Sequence, residues 1–262
     1  MNVSHEQVRF FREEGYLHLP NCFESRGLEE IADHVMNLRQ PPESERERFG
    51  EYPFRGFIGR KRFVDFTDAE RRSSERLMRI HSFDRRYLEL MLSPRLFTLA
   101  EDLLGGEVVA FHSAFIAKPP RAQGIMAHVD NLYFNIYPPR VVGIQLLVDD
   151  VDKENGGLQV APKTHRIPWE QPVQFSREES VPSEEQPAPQ GTEWITVSGQ
   201  PGDAICFDGL LLHASQQNCS ATRWRRTPIF HYASAEISAA PLSCQPLYRR
   251  DGSSFRLETK AS

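Results

Sequence analysis

A histidine and an aspartate stand two positions apart in the middle of the chain, in the tripeptide His-Val-Asp at 128–130. Side chains two apart on a β-strand point to the same face, so a strand here would present His128 and Asp130 side by side. An imidazole and a carboxylate supply two of the three ligands of a small metal site. The sequence therefore predicts a metal site at this pair, completed by one of the other histidines in the chain.

His213 is the best-placed third ligand among the nine histidines. It closes the apolar run 210–212, which follows the turn 201–203 and the buried-strand pattern of 204–207. Two histidines and one carboxylate on one triangular face, with the other positions open, are typical of non-haem Fe(II) oxygenases. H-x-D arises often by chance, so the prediction depends on the order of the motifs: an early H-x-D, a late histidine and then an arginine.

The elements that must position these residues differ between the two parts of the chain. A helix is predicted at 4–14, with a capping box of Ser4 and Gln7 at its start and Gly15 at its end. A second helix is predicted at 24–39 and one or two at 84–104, and 40–80 is predicted mostly as loop. Short runs rich in Val, Ile and aromatic residues follow, with Gly, Pro, Asn and Asp between them, which favours an antiparallel sandwich or barrel. These predicted strands are VVAFHSAFIAK, YFNIY, VVGIQLLVDD, LQVAP, WITV, DAICFDG and TPIFHYAS.

The bulk composition indicates which partners and compartments are expected. The net charge is −5, so no strong basic field would attract nucleic acid or an anionic membrane. The four cysteines include no C-x-x-C pair, which is typical of reduced thiols in a cytosolic protein. The N-terminus has no apolar signal-peptide region, and no apolar run approaches the length of a membrane helix. We therefore predict a cytoplasmic protein without a nucleic-acid or membrane partner, and the sequence leaves its oligomeric state open.

Residues 111–235 carry several motifs in an order that resembles one known family. The motifs are His128–Asp130 followed by Tyr133–Phe134, then DDVDKENGGLQVAPKTHR, PGDAICFDGLLLHASQQN and RRTPIFHYASA. Together they resemble the phytanoyl-CoA dioxygenase family of Fe(II)/2-oxoglutarate-dependent oxygenases. The resemblance implies a mainly β fold with flanking helices, a double-stranded β-helix of the jelly-roll or cupin-like type. It also implies one domain over 1–262, helical over about 1–105, with a barrel core over about 106–235.

The resemblance implies Fe(II) as the metal, 2-oxoglutarate as co-substrate and O₂ as oxidant. The family's iron ligands fall on His128, Asp130 and His213. Related halogenases have a small residue in place of the aspartate, so Asp130 favours oxygenation over halogenation. The implied reaction is hydroxylation of a small molecule, such as a natural product, an amino-acid derivative or an acyl-CoA, with release of succinate and CO₂.

A family arginine binds the distal carboxylate of 2-oxoglutarate, which suits the planar fork of a guanidinium. The candidates are Arg223, Arg225 and Arg226; alignment of the last strand favours Arg225, with Arg223 in reserve. Ser215 resembles a serine that assists the same carboxylate. Gln145 falls where some family members carry a tryptophan beside the co-substrate.

Several alternatives and minor expectations remain open at the level of sequence. The same cofactor chemistry could give desaturation, epimerisation or cyclisation, and a non-catalytic cupin-like metal-binding protein is the alternative of a different class. The Pro-rich segment 168–193 is predicted to be a loop that orders over substrate. His231 is interpreted as a packing residue rather than one that faces the barrel interior, His112 is not assigned to the active site, and Lys118 is expected at the pocket mouth. Residues 50–80, 168–193 and the strand around His112 are expected to select the substrate.

Overall fold

The structure, a computed structural model, describes residues 3–38, 67, 76–169 and 186–257 of the 262. Most of the predicted loop 40–80 and most of the predicted substrate loop 168–193 lie outside these residues. Within the described ranges, no helix combines the length and the apolar character that a membrane crossing requires.

Two antiparallel sheets form the centre of the fold. The larger has the order β1-β8-β5-β10-β3-β11-β12, with β2 also paired to β3, and the smaller has the order β4-β9-β6-β7. The strands are β1 (Tyr16–Leu19), β2 (Arg76–Met78), β3 (Val108–Lys118), β4 (Ile125–His128), β5 (Val141–Leu146), β6 (Leu158–Val160), β7 (Ile195–Thr196), β8 (Ala204–Asp208), β9 (His213–Ser215), β10 (Arg225–Ser234), β11 (Leu247–Tyr248) and β12 (Ser254–Phe255).

Helices cover the outer face of the larger sheet. They are α1 (His5–Glu14), α2 (Ser25–Asn37), α3 (Arg85–Met91) and α4 (Pro94–Leu104). A further short helix, α5 (Asp130–Phe134), follows β4 beside the space between the sheets. The predicted capping box of α1 is confirmed, because Ser4 accepts from the Gln7 backbone and the Gln7 side chain accepts from Ser4. Gly15 ends this helix at φ 83°, a left-handed conformation that glycine adopts without steric cost.

The long strand β10 shows how the sheet separates the apolar core from the site. Phe230 packs against Tyr87 of α3, and Tyr232 packs against Phe97 of α4, with ring centroids 5.1 and 5.3 Å apart. Alternate side chains of a strand point to opposite faces, so His231 between them faces the space between the two sheets. Ile229 faces the same way and joins the smaller inter-sheet cluster.

Two strand predictions are wrong in detail. The run YFNIY is not a strand, since its first two residues end α5 and Asn135 then turns the chain in a left-handed conformation at φ 47°. The H-x-D motif does not lie wholly on a strand either: β4 ends at His128 and Asp130 begins α5. Val129, between them, keeps an extended backbone (φ −124°, ψ 116°), which preserves the predicted shared face.

Candidate metal centre and adjoining pocket

The three predicted metal ligands meet at one end of the space between the sheets. Strands β4 and β9 pair antiparallel with His128 directly opposite His213, and Asp130 follows immediately after β4. Asp130 Oδ1 lies 3.4 Å from His128 Nε2 and 3.7 Å from His213 Nε2. One ligand atom from each side chain lies within 4.8 Å of the other two, a spacing that a single metal ion could bridge.

Backbone hydrogen bonds fix the orientation of both imidazoles. His128 Nδ1 lies 2.8 Å from the Met126 carbonyl oxygen, and His213 Nδ1 lies 3.0 Å from the Leu211 carbonyl oxygen. A carbonyl only accepts, so Nδ1 carries the proton in each ring and Nε2 keeps its lone pair. Both lone pairs are therefore available on the side of Asp130, as metal ligation requires.

Burial and neighbouring charges set the protonation states that a metal needs. Burial, with a smaller effect from His128, lowers the pKa of His213 to about 4, so this imidazole is neutral near pH 7. Burial alone would raise the pKa of Asp130, but the surrounding histidines His213, His128 and His231, the last through a hydrogen bond, hold it well below its usual value. A neutral imidazole and an ionised carboxylate are the forms in which these groups bind metals.

His231 and His112 lie beside the predicted metal ligands, although the sequence pattern favoured a packing role for His231 and gave His112 no role. His231 Nε2 lies 2.8 Å from Asp130 Oδ2, and His231 Nδ1 lies 3.2 Å from His112 Nδ1. The two histidines are directly opposite each other on β10 and β3. The sequence did contain a signal for the position of His231. It stands six residues after Arg225 on one strand, so both side chains point to the same face of the sheet.

Gly143 leaves room for the aromatic ring that packs against His213, one of the predicted metal ligands. It lies in register between His231 of β10 and Phe207 of β8. A Cβ at Gly143 would come within 2.5 Å of the Phe207 ring. That ring in turn contacts His213, with centroids 4.7 Å apart. Glycine at this position therefore allows the close packing that holds His213 in place.

Two buried cations lie along the same inner face, beyond the metal ligands. Arg225 and Lys118 are paired in register across β10 and β3, with 1% and 0% of their surfaces exposed. Lys118 Nζ donates to Ser215 Oγ at 2.9 Å and to the Gln216 carbonyl oxygen at 2.6 Å. The expectation that Lys118 lies at the pocket mouth is wrong, because its side chain is fully enclosed beside Ser215.

The three candidate arginines have different surroundings. Arg223 points outward, where it forms ion pairs with Asp152 and Glu154 at 2.9 and 2.6 Å. Arg226 forms an ion pair with Asp149 at 2.7 Å on the helix-covered side of the sheet. Only Arg225 of the three is placed on the inner face that the metal ligands share.

Polar atoms of Gln145 and Thr227 line the interior next to these cations. Gln145 lies opposite Ile229 of β10 and is 1% exposed, and Thr227 is two residues from Arg225 and fully buried. Gln145 Nε2 and Thr227 Oγ1 have no hydrogen-bond partner in the described part of the chain. Buried polar groups normally have partners, so these atoms fit a pocket that receives a polar ligand. Two cations, two hydroxyls and an amide donor fit a dicarboxylate such as 2-oxoglutarate.

Comparison with known proteins decides the family. The family model described as phytanoyl-CoA dioxygenase (PhyH) matches residues 11–227, which is most of the chain. The protein belongs to this family. Members are Fe(II)- and 2-oxoglutarate-dependent oxygenases, so the prediction of an enzyme of this class, with these cofactors, is confirmed.

An individual relative agrees with this assignment, and solved structures share the fold. The dioxygenase lolE1 of Epichloe uncinata is 27% identical over 230 residues, covering 87% of this chain and 81% of its own length. The crystal structure of the epimerase SnoN from nogalamycin biosynthesis matches with a TM-score of 0.66 and 16% identity, over 90% of this chain and 85% of SnoN. EctD from S. alaskensis with 2-oxoglutarate and 5-hydroxyectoine also gives a TM-score of 0.66, with 20% identity, over 88% of this chain and 76% of EctD. The jelly-roll prediction is confirmed.

Proposed function

We propose that this PhyH-family protein holds Fe(II) with His128, Asp130 and His213 and uses 2-oxoglutarate and O₂ to hydroxylate a small molecule. The convergence of the three ligand atoms within 4.8 Å carries the proposal. The ligand set, two imidazoles and one carboxylate, is the one typical of non-haem Fe(II) oxygenases. We further propose that residues 1–262 form one domain and that the enzyme works in the cytoplasm, where its cysteines would remain reduced.

In this proposal Arg225 holds the distal carboxylate of 2-oxoglutarate, with Lys118 and Ser215 beside it. Arg225 is supported by its burial, its place on the inner face and the outward ion pairs that Arg223 makes instead. Lys118 and Ser215 bond to each other at 2.9 Å, so both present polar hydrogens to the same region. Gln145 and Thr227 line the space between this region and the metal ligands, where the body of the co-substrate would lie.

The chain itself contributes orientation and exclusion of water. Backbone carbonyls direct Nε2 of His128 and His213 inward, and Asp130 supplies the negative charge. The cluster of apolar side chains between the sheets, which includes Ile116 and Ile229, lines the rest of the pocket and excludes water from it. When bound, iron with 2-oxoglutarate and O₂ supplies the oxidising power, and succinate and CO₂ are released. No side chain need act as acid or base in this scheme.

The substrate is proposed only as a class: a natural product, an amino-acid derivative or an acyl-CoA. Desaturation, epimerisation and cyclisation remain as alternative outcomes, and one matched structure carries the name of an epimerase. Residues 50–80, the strand around His112 and residues 168–193 are proposed to select the substrate. A non-catalytic cupin-like protein would keep the metal site and lose the turnover.

The test is O₂-dependent formation of succinate from 2-oxoglutarate by the Fe(II)-loaded protein, with candidate substrates of the three classes added. The wild type should release succinate, and a true substrate should accelerate this release. Mass analysis of the product then separates hydroxylation, which adds one oxygen, from desaturation, which removes two hydrogens, and from epimerisation, which leaves the mass unchanged. Succinate formation no faster than that of His128→Ala would contradict the proposal and favour the non-catalytic alternative.

A further inference from the structure

The two oxygens of the Asp130 carboxylate have different surroundings. Oδ1 faces the Nε2 atoms of His128 and His213, at 3.4 and 3.7 Å. Oδ2 faces away from them and lies 2.8 Å from Nε2 of His231. An ionised carboxylate only accepts hydrogen bonds, so His231 is the donor in this contact. The contact occupies one oxygen and leaves the other directed at the metal position.

The hydrogen bond from His231 to Asp130 also bears on which ring donates in the contact between His231 and His112. If Nε2 of a neutral His231 carries the proton, Nδ1 is an acceptor. The nearest polar atom to it is Nδ1 of His112 at 3.2 Å, which must then donate. With His231 in this form, the donor chain runs from His112 through His231 to Asp130, entirely among residues that are no more than 9% exposed.

Packing around His231 restricts the ring to this orientation. Its ring centroid lies 4.8 Å from that of Phe134 and 6.1 Å from that of Phe207, with edge-on geometry to each. His231 is fixed on β10 between strands β3 and β5, opposite His112 and Gly143. A rotated ring would lose both hydrogen bonds among buried residues, where an unmade hydrogen bond is costly.

We propose that His231 is a positioning residue that, supported by His112, selects which oxygen of Asp130 binds the metal and holds this carboxylate in a one-oxygen binding mode. This inference rests on the metal centre proposed above. The consequence is that the remaining metal positions stay open for 2-oxoglutarate and O₂. Loss of such an outer hydrogen bond typically costs about 10- to 100-fold in metal affinity.

The experiment measures Co(II) and anaerobic Fe(II) affinities of the full-length protein by calorimetry, together with thermal unfolding of the metal-free forms. His231→Leu should bind either metal about 10- to 100-fold more weakly than the wild type. His231→Gln, whose amide nitrogen can replace Nε2 as donor, should restore most of the affinity. His112→Phe should give a smaller loss, because His112 reaches Asp130 only through His231.

His18→Leu is the matched control, because His18 Nε2 makes a hydrogen bond of the same 2.8 Å length to Asp203, on another part of the larger sheet. His18→Leu should change the thermal unfolding of the metal-free protein and leave its metal affinity unchanged.

Equal metal affinities for the wild type, His231→Leu and His231→Gln would overturn the inference while leaving the metal centre intact. If His231→Leu fails to fold, a weaker affinity of His112→Phe together with a His231→Gln affinity near that of the wild type supports the inference. Equal affinities in these three proteins, or a loss in His231→Gln as large as that of Asp130→Ala, overturn it. Failure of the wild type itself to bind metal would overturn the metal centre as well.

Discussion

Replacement of Arg225 by glutamine should weaken 2-oxoglutarate binding strongly while leaving the metal ligands untouched. Arg225 is 1% exposed and lies on the inner face of β10, opposite Lys118 of β3. Glutamine keeps a polar side chain of moderate length and removes the charge and the two-pronged donor geometry. The change therefore isolates the interaction with the distal carboxylate.

The magnitude follows from the burial of the site. Loss of one partner of a buried, hydrogen-bonded charge pair costs about 2–5 kcal/mol. Lys118 remains in place and keeps one positive charge near the carboxylate, so we expect the lower part of this range. A loss of about 2–3 kcal/mol corresponds to an increase in Kd of about 30- to 140-fold, at about 1.4 kcal/mol for each factor of ten.

The assay is anaerobic titration of the Fe(II)-loaded protein with 2-oxoglutarate, followed by calorimetry or by the visible band of the complex. Arg223→Gln serves as the control, because it removes a surface arginine whose ion pairs contribute at most about 1 kcal/mol each. Its Kd for 2-oxoglutarate should match that of the wild type. A Kd that rises in Arg223→Gln and stays constant in Arg225→Gln would refute the assignment of Arg225.

Three further outcomes are expected. Lys118→Met should raise the Kd for 2-oxoglutarate less than Arg225→Gln does, in the same titration, because the guanidinium remains. Gly143→Ala should displace the Phe207 ring, which packs against His213. Denaturant unfolding should show a free energy of unfolding lower by about 1–3 kcal/mol, and calorimetry should show weaker metal binding. Burial lowers the pKa of His81 to about 3 in the folded protein, whereas in the unfolded chain it has the ordinary value of about 6.5. As the pH falls below about 6.5, His81 therefore binds a proton in the unfolded chain and not in the folded protein, which favours unfolding. Between about pH 6.5 and about pH 5.5 the free energy of unfolding of the wild type should fall by about 1 kcal/mol more than that of His81→Phe. Equal losses in both proteins would contradict this last expectation.

Local rules predicted the parts of the structure that depend on short stretches of sequence. The capping box at Ser4 and the stop at Gly15 follow from residue types at fixed spacing. The strand pattern of β10 and the face shared by His128 and Asp130 follow from alternation along an extended chain. The choice of His213 as third ligand needed the order of the motifs, and the structure places it directly opposite His128.

Features that depend on pairing between distant strands could not be predicted. The burial of Lys118 follows from its register with Arg225, which no local pattern specifies. The contact of His231 with Asp130 joins residues 101 positions apart. Asp130 begins a helical turn because the chain leaves the smaller sheet there, and the Asn131 backbone instead donates to the Gly209 carbonyl oxygen. Tertiary contacts of this kind override the strand pattern of the following residues.

The most direct test of the metal centre is the visible charge-transfer band that forms when 2-oxoglutarate chelates Fe(II) in the anaerobic protein. The wild type should show this band, and separate alanine substitutions at His128, Asp130 and His213 should abolish or strongly reduce it while the protein remains folded. A band of full intensity in any of these variants would show that the substituted residue does not hold the iron. No band in folded, iron-loaded wild type would contradict the proposed centre.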